Sequence, residues 1–295
     1  MTYCVLSFYK FVRLSDFREK QEPLLEVCQK NAIKGTIHLS LEGINGTIAG
    51  TASDIEMVIN YLCNDSRFFD LETKQSFSDN LPFARMKVRL KQEIVTLGMP
   101  EINPSETVGN YVNSHDWNEL ISDPEVTVID TRNTYEVDIG TFQGAINPHT
   151  HSFREFPDYV RQNLDPNKNT KIAMFCTGGI RCEKATSFLL KQGFKEVYHL
   201  KGGILKYLEE VPQNESLWQG ECFVFDERIT VKHELEEGSY EMCLGCGHPI
   251  SQEDKRSSEY EQGVSCPYCF STLSPEKLAR QREKQRQLKK TQNRK

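Results

Sequence analysis

The chain has 295 residues, a formal net charge of −6, a hydrophobic content of 38% and a charged content of 26%. This length predicts two or three domains, and the composition is that of a globular protein rather than a disordered or fibrous one. No segment has the apolar length of a membrane span, and the N-terminus lacks the features of a signal peptide. The sequence therefore predicts a cytoplasmic protein whose ten cysteines are thiols or metal ligands rather than disulfides.

The negative net charge by itself argues against a nucleic-acid partner, but the charge is unevenly distributed. Residues 276–295 contain nine Lys/Arg and two acidic residues, a local balance of +7, so the rest of the chain carries −13. A basic tail on an acidic body is typical of RNA-binding proteins, and also of tails that only improve solubility. The tail leaves both interpretations open.

The first 98 residues predict a domain of mixed strands and helices. Its order, β-α-β-β-α-β, indicates a ferredoxin-like α+β sandwich, and the strand pattern near residue 74 is interpreted as an extra strand. Ser15 is the expected N-cap of the first helix. The predicted strands are residues 3–11, 36–41, 46–49, 71–77 and 84–91, and the predicted helices are residues 15–30 and 53–63.

The last of these strands alternates cations with apolar residues. A period of two places the cations on one face, and the four like charges repel each other. An anionic partner such as an RNA phosphate backbone would stabilise them, although a solvated sheet face is an equally acceptable interpretation. The candidate RNA-binding residues are Arg85, Lys87, Arg89 and Lys91.

Residues 99–119 are predicted to be a linker, and residues 120–214 to be a parallel α/β domain. Buried strand patterns at residues 126–130, 171–175 and 196–200 alternate with helical patterns. In such sheets the functional groups lie at the carboxyl ends of the strands. Asp130 and Cys176 both occupy that position.

Cys176 ends one of these strands and precedes a helix, with Gly178 and Gly179 between. A sulfur at this point is surrounded by unpaired backbone N–H groups at the positive end of the helix dipole. Arg181 adds a fixed positive charge, so the loop is expected to lower the thiol pKa and to hold an anionic sulfur. The alternative is a buried structural cysteine in a tight turn. The candidate active-loop amides are those of Thr177, Gly178, Gly179 and Ile180.

Residues 215–275 form a cysteine-rich segment and residues 276–295 the basic tail. Cys243-x-x-Cys246 and Cys266-x-x-Cys269 have the spacing of a four-cysteine zinc site, for which disulfides are the alternative. Four thiolates leave no open coordination position. The expected zinc is therefore structural rather than catalytic.

Four motifs of the central segment together resemble the rhodanese domain. Arg181 stands five positions after Cys176, as in sulfurtransferase-type loops, whereas phosphatase-type loops are one residue longer; here the sixth position is Cys182. The resemblance implies a Cys176 thiolate or persulfide as nucleophile, with Arg181 fixing the loop and Asp130 and Arg132 bracing it. The motifs are Asp130-x-Arg132, Gly144-Ala145-Ile146-Asn147, Cys176-Thr177-Gly178-Gly179-Ile180-Arg181 and Leu200-x-Gly202-Gly203.

Further motifs lie along the chain: Glu42-Gly43-Ile44-Asn45-Gly46-Thr47, Phe153-Arg154-Glu155-Phe156-Pro157, Gly220-Glu221-Cys222-Phe223-Val224-Phe225-Asp226 and the paired cysteines. Together they resemble a narrower group, the rhodanese-like tRNA uridine hydroxylase (TrhO) family. That resemblance implies an oxygen-dependent oxidoreductase that converts wobble uridine in the tRNA anticodon region to 5-hydroxyuridine, with molecular oxygen as co-substrate. A sulfurtransferase that moves sulfane sulfur through a Cys176 persulfide is the alternative.

Cys182 has two interpretations. It could resolve a persulfide or disulfide formed at Cys176, or it could be an inward-packed helix residue.

No Gly-x-Gly-x-x-Gly or other nucleotide-binding motif occurs in the chain, so neither flavin nor nicotinamide is indicated.

Overall fold

The computed structural model describes residues 2–292, and the side chains of residues 2–287. The chain divides into two compact units. One comprises Met1–Glu227 with Val231–Glu236, and the other Arg228–Thr230 with Glu237–Lys295. None of the helices in the described part of the chain combines the length and the apolar character needed to cross a bilayer.

The N-terminal domain is a five-stranded sheet in the order β4-β1-β3-β2-β5, with two helices on one face. β3 pairs antiparallel with both β1 and β2. The apolar residues of β1 alternate, so that Leu6 and Phe8 enter the core beneath the helices while Ser7 and Tyr9 lie on the other face. The elements are β1 (Tyr3–Phe11), α1 (Gln21–Lys30), β2 (Lys34–Ser40), β3 (Gly43–Gly50), α2 (Ala52–Cys63), β4 (Thr73–Ser78) and β5 (Met86–Leu90).

The β-α-β-β-α-β order was correctly predicted, but the extra strand is a different one. β4, which contains Lys74, pairs with β1 and completes the sandwich as its fourth strand. The additional strand is β5, the basic strand, which pairs in parallel with β2 at the opposite edge. Neighbouring strands along the chain are not necessarily neighbours in a sheet, so sequence order alone does not identify the added strand.

The first helix begins later than predicted, at Gln21 instead of after Ser15. Residues 15–20 form turns, and Lys20 is the N-cap, without a side-chain cap. Pro23 explains the difference, because a proline has no N–H donor and fits only the first turn of a helix. A helix that began near Ser15 would place Pro23 in its interior.

The central domain contains a four-stranded parallel sheet in the order β6-β10-β9-β7. β6 and the beginning of α3 lie within residues 99–119, so part of the segment predicted as a linker is structured. The elements are β6 (Asn110–Val112), α3 (Ser114–Ser122), β7 (Val126–Asp130), α4 (Thr134–Val137), β8 (Gly140–Phe142), α5 (Phe156–Asn163), β9 (Lys171–Phe175), α6 (Ile180–Lys191), β10 (Glu196–Leu200), α7 (Gly203–Glu210), β11 (Trp218–Gly220) and β12 (Cys222–Phe223).

β9 determines where Cys176 lies. It is the inner strand between β7 and β10, and Ile172 to Phe175 are fully buried because apolar groups cover both faces of the sheet. The strand ends at Phe175, and α6 begins five residues later at Ile180. Cys176 therefore lies at the carboxyl edge of a rigid sheet, directly before a helix N-terminus.

The second unit contains little regular structure before its last helix. A short hairpin of β14 and β15 and the one-turn helix α8 present the four paired cysteines. The tail forms a helix over its described part, and residues 293–295 lie outside the described residues. The remaining elements of the chain are β13 (Thr230–Val231), β14 (Glu241–Met242), β15 (Pro249–Ile250), α8 (Pro267–Phe270) and α9 (Pro275–Gln292).

Candidate active site and candidate metal centre

The Cys176 loop wraps its backbone around the sulfur. Cys176 is fully buried, and the Gly179 N–H donates a hydrogen bond to its Sγ at 3.1 Å. The Cys182 N–H is a second backbone donor to the same sulfur. Gly179 has φ 97°, a left-handed conformation that favours glycine, and in this turn its N–H is directed at the sulfur. The other predicted loop amides belong to residues of the same turn: Thr177, Gly178 and Ile180.

Electrostatics stabilise the thiolate of Cys176. Burial by itself would raise the pKa of Cys176, but the Cys182 thiol, the Arg181 charge and the two backbone donors outweigh it and lower that pKa. Burial and the neighbouring Cys176 raise the pKa of Cys182, so Cys182 remains a thiol and donates its S–H to Cys176. The Thr131 hydroxyl lies 3.6 Å from Cys182 Sγ. Of the two interpretations of Cys182, inward packing describes its position, and a resolving role stays a prediction.

The N-terminus of helix α7 packs against the Cys176 loop, and this close packing explains the glycines of the Leu200-x-Gly202-Gly203 motif. The N–H groups of Ile204 and Leu205 donate to the carbonyl oxygens of Cys176 and Thr177 at 2.9 and 3.1 Å. A Cβ on Gly203 would lie 2.5 Å from the Cys176 carbonyl oxygen and 2.7 Å from the Gly179 nitrogen. Only glycine allows this close approach of the two backbones.

Arg181 is held by a carboxylate that the sequence analysis missed, Glu136. Its two terminal nitrogens each donate to one Glu136 oxygen at 2.7 Å, and Glu136 is fully buried. Burial would raise the pKa of Glu136, but Arg181 and the other donors lower it. A signal for Glu136 exists in the sequence, because Asn133-x-x-Glu136 is a capping box at the start of α4.

Asp130 and Arg132 form a fully buried ion pair on the neighbouring strand end. Arg132 donates to both Asp130 oxygens, at 2.8 and 2.5 Å, and also to the carbonyl oxygens of Glu136 and Gly140. The pair thus ties strand β7 to the segment that carries Glu136. Their bracing role stays a prediction, and the contact that would carry it is the hydrogen bond from Arg132 to the Glu136 carbonyl oxygen.

The Glu42–Thr47 motif lies where the N-terminal domain meets the central domain. Lys184 of α6, with no exposed side-chain surface, donates to Glu42 at 2.7 Å and to Glu93 at 2.5 Å. Glu42 also accepts from the Ile94 N–H, and the Asn45 amide donates to the Ile94 carbonyl oxygen. The motif therefore attaches the first domain to the helix that begins at the cysteine loop, which sequence reasoning did not predict.

The predicted basic strand, residues 84–91, carries four cations. Among the side chains that the structure describes, none of its four cations forms an ion pair or a side-chain hydrogen bond. His38 of β2 lies opposite Arg89, and burial together with the charges of Lys91 and Arg89 lowers the pKa of His38 to about 4. The four cations are Arg85, Lys87, Arg89 and Lys91, of which Lys87 is half-buried and the others are exposed. The strand is shorter than predicted, so that Lys87 and Arg89 lie on β5 while Arg85 and Lys91 flank it.

The four paired cysteines converge in the second unit. Their Sγ atoms all lie within 4.8 Å of one another, and all four are free thiols. The Gly247 N–H donates to the Cys243 carbonyl oxygen at 2.7 Å, and the Phe270 N–H to that of Cys266 at 2.9 Å, so each pair lies on its own tight turn. Four convergent thiols form a group that could hold a metal ion. The members of the group are Cys243, Cys246, Cys266 and Cys269.

The fold and site define a rhodanese-domain protein with an added N-terminal sandwich and a C-terminal cysteine cluster. Residues 3–94 match the family model of the UPF0176 acylphosphatase like domain. Residues 114–210 match the model of the rhodanese-like domain.

A curated relative identifies the family. A tRNA uridine(34) hydroxylase from Picosynechococcus sp. is 62% identical over 278 residues, which cover 94% of this chain and 93% of that protein. The chain belongs to the tRNA uridine(34) hydroxylase family, as the sequence motifs predicted.

Among solved structures, the chain is similar to a rhodanese-related protein from Thermoplasma volcanium. That protein is 28% identical, with a TM-score of 0.30 over 35% of this chain and 93% of the other. A rhodanese-like domain from Anabaena sp. is 20% identical, with a TM-score of 0.31 over 37% of this chain and 78% of the other.

Proposed function

We propose that this enzyme hydroxylates uridine 34 of tRNA at C5, with Cys176 as the nucleophile and molecular oxygen as co-substrate. The observation that carries the proposal is the Cys176 loop: a buried sulfur with backbone donors, a nearby arginine and a lowered pKa. Family membership supplies the class of substrate. We expect the reaction to take place in the cytoplasm.

The chemical step assigned to Cys176 is addition to the pyrimidine ring. A thiolate attacks C6, the Sγ–C6 bond forms, and the C5–C6 π pair moves toward C5 and the C4 oxygen. The electron-rich C5 then reacts with oxygen, and elimination of the thiolate restores the ring. Conversion of uridine to 5-hydroxyuridine with reduction of the second oxygen atom to water also consumes two electrons and two protons. The proposed donor class is an external thiol.

The burial of Cys176 favours an unpaired base as substrate. A sulfur with no exposed surface is out of reach of a base that is stacked within a helix. Anticodon-loop bases are single-stranded and can be splayed into a recessed pocket at small free-energy cost. This argument supports the anticodon region as the part of tRNA that enters the site.

The test of the nucleophile is Cys176→Ser, with tRNA nucleosides analysed by mass spectrometry. Formation of 5-hydroxyuridine should be lost while tRNA binding persists, because serine has almost the same volume but is not ionised. Retained hydroxylation would contradict the assignment of Cys176.

The second candidate, sulfurtransferase activity, is favoured by the sulfurtransferase length of the loop. Thiosulfate:cyanide activity that is lost in the variant, with unchanged tRNA nucleosides, would support that candidate.

The basic segment formed by β5 and its flanking residues Arg85 and Lys91 is the proposed contact for the tRNA backbone. Its four cations repel one another, and phosphates are suitable counter-ions. Replacement of one phosphate-binding cation, for example Arg89→Gln, should weaken tRNA binding and reduce the salt slope of log K by about 0.7–0.9. An unchanged slope would instead support the other function of edge-strand cations, which is to prevent edge-to-edge pairing.

Structural zinc is the metal proposed for the four-cysteine group. Thiolates at about 2.3 Å from a tetrahedral zinc ion lie about 3.8 Å apart. The Sγ atom of Cys266 lies 3.8 Å from those of Cys246 and Cys269, which fits this spacing. Elemental analysis should find one zinc per chain, and Cys266→Ser should lose the metal. Full metal content in that variant would contradict the assignment.

A further inference from the structure

Two side chains of the N-terminal sheet lie against the loop of Cys176. Tyr9 of β1 extends from the face of the sheet that the helices leave uncovered, and its hydroxyl donates to Glu183 Oε1 at 2.7 Å. Glu183 lies in the first turn of α6. A Cβ built on Gly179 would lie 2.8 Å from the Tyr9 hydroxyl oxygen, so Tyr9 contacts the turn that donates to the sulfur.

Lys74 lies beside Tyr9 on the same face. The register of β4 with β1 places Lys74 opposite Ser7, two residues from Tyr9. Its Nζ lies 5.0 Å from the centroid of the Tyr9 ring, a cation–π contact. Its Cε would lie 3.4 Å from a Cβ on Gly202, next to the glycine that packs on the Cys176 backbone. Strand pairing therefore brings an ammonium group to the cysteine loop.

The ammonium group of Lys74 is partly buried and, among the described side chains, lacks a carboxylate at ion-pair distance. Neither an ion pair nor a hydrogen bond is found for it among the side chains of residues 2–287. The charged groups that face it at longer range are Glu72 of its own domain, and Cys176, Glu183 and Lys206 of the central domain. Burial lowers the pKa of Lys74, since the ring face of Tyr9 replaces only part of its lost hydration. A partly buried cation without a partner is suited to bind an anionic or carbonyl oxygen.

We propose that Lys74, positioned by Tyr9, is a catalytic residue that binds the C4 oxygen of the pyrimidine as Cys176 adds to C6. The proposal rests on the proposed function. When the Sγ–C6 bond forms, the negative charge leaves sulfur and appears on the C4 oxygen through the displaced π pair; no electron is gained or lost. A cation that already interacts with the thiolate also stabilises this enolate oxygen, and its donors need no reorganisation during the reaction.

This arrangement makes the active site a product of two domains. The rhodanese loop supplies the nucleophilic sulfur, and the sheet of the first domain supplies the electrophilic contact to the base. The Lys184–Glu42 ion pair joins the central domain to the N-terminal domain. It thereby helps to keep Lys74 close to the Cys176 loop. The first domain is then required for the chemistry on the base itself.

The experiment compares Lys74→Gln, Lys74→Arg and the control Lys10→Gln in the full-length protein. Lys10 is on β1 of the same sheet but on the opposite face, where it pairs with Asp70. Single-turnover hydroxylation with saturating tRNA should fall about 10²-fold in Lys74→Gln, the usual effect of removing one oxyanion donor. The tRNA Kd should change less than about twofold, Lys74→Arg should recover part of the rate, and Lys10→Gln should match the wild type. Thermal midpoints establish that each variant is folded.

Three outcomes would overturn the proposal. The first is a Lys74→Gln rate within about threefold of the wild type. The second is a loss confined to Kd and accompanied by a salt slope reduced by about 0.7–0.9, which would make Lys74 a phosphate contact. The third is full hydroxylation by Cys176→Ser, which removes the proposed function as well. If Cys176→Ser loses hydroxylation while Lys74→Gln keeps the wild-type rate, the role of Lys74 is overturned and the proposed function stands.

Discussion

Replacement of Glu136 by glutamine tests whether the Arg181–Glu136 pair determines the stability of the cysteine loop. Glutamine has the same shape but no charge, so Arg181 loses its counter-ion while both groups remain buried. One of the two 2.7 Å hydrogen bonds is also lost, since the glutamine amide nitrogen is a donor facing a donor. The wild type and Glu136→Gln therefore differ in charge and in one hydrogen bond, while the side-chain volume is nearly the same.

The expected loss follows from the burial of the pair. Glu136 is 0% exposed and Arg181 is 7% exposed, so water cannot replace the missing charge. Breaking a buried pair by removing one partner costs about 3–5 kcal/mol in the free energy of unfolding. For a unit of this size, each kcal/mol corresponds to about 2–4 °C, which gives a decrease in Tm of about 6–20 °C.

The assay is thermal unfolding of the wild type, Glu136→Gln and the control Glu125→Gln. Glu125 also pairs with a cation, Lys171 at 3.1 Å, but its side chain is 74% exposed. The control should lower the free energy of unfolding by at most about 1 kcal/mol. Equal Tm values for the two variants would refute the argument that burial makes the Arg181–Glu136 pair important.

Three further predictions concern separate contacts. Lys184→Met should lower the Tm more than Lys191→Met on the same helix, because it leaves the buried Glu93 and the largely buried Glu42 without a cation; equal melting would contradict a bridge between the domains. Cys182→Ala removes an S–H donor and should raise the pKa of Cys176. Since the reactive thiolate exists above that pKa and is lost as the pH falls through it, the acidic limb of the kcat/KM profile should move to higher pH, and an unmoved limb would contradict this. A zinc chelator should unfold the second unit, seen as faster proteolysis near Cys266 than in the untreated protein, since the described part of that unit has a small apolar core.

Local sequence patterns predicted those parts of the site in which all the groups lie close together along the chain. The loop from Cys176 to Arg181, its preceding strand and its following helix occupy one continuous segment, so their order alone indicates an anion-holding turn. The turn within each Cys-x-x-Cys pair was predictable for the same reason, because its two cysteines lie three positions apart.

The groups that act on the loop from other elements were not predictable. Glu136 lies 45 residues before Arg181, and Glu42 lies 142 residues before Lys184. Contacts over such separations depend on strand order and helix packing, which a single sequence does not contain. The position of β5 at the sheet edge, and so the identity of the extra strand, was also decided by pairing between distant segments.

The sequence by itself indicated the motifs that this protein carries and the family to which it belongs: a cysteine loop between a strand and a helix, two Cys-x-x-Cys pairs and a basic strand. Those features are local in the chain, and short-range backbone geometry fixes them. Only the tertiary structure decided what surrounds the sulfur. A fully buried thiol next to Arg181–Glu136, with Tyr9 and Lys74 of another domain against its loop, requires the packing of two domains. The physical reason is that burial and electrostatic fields depend on distances in space, not on distances along the chain.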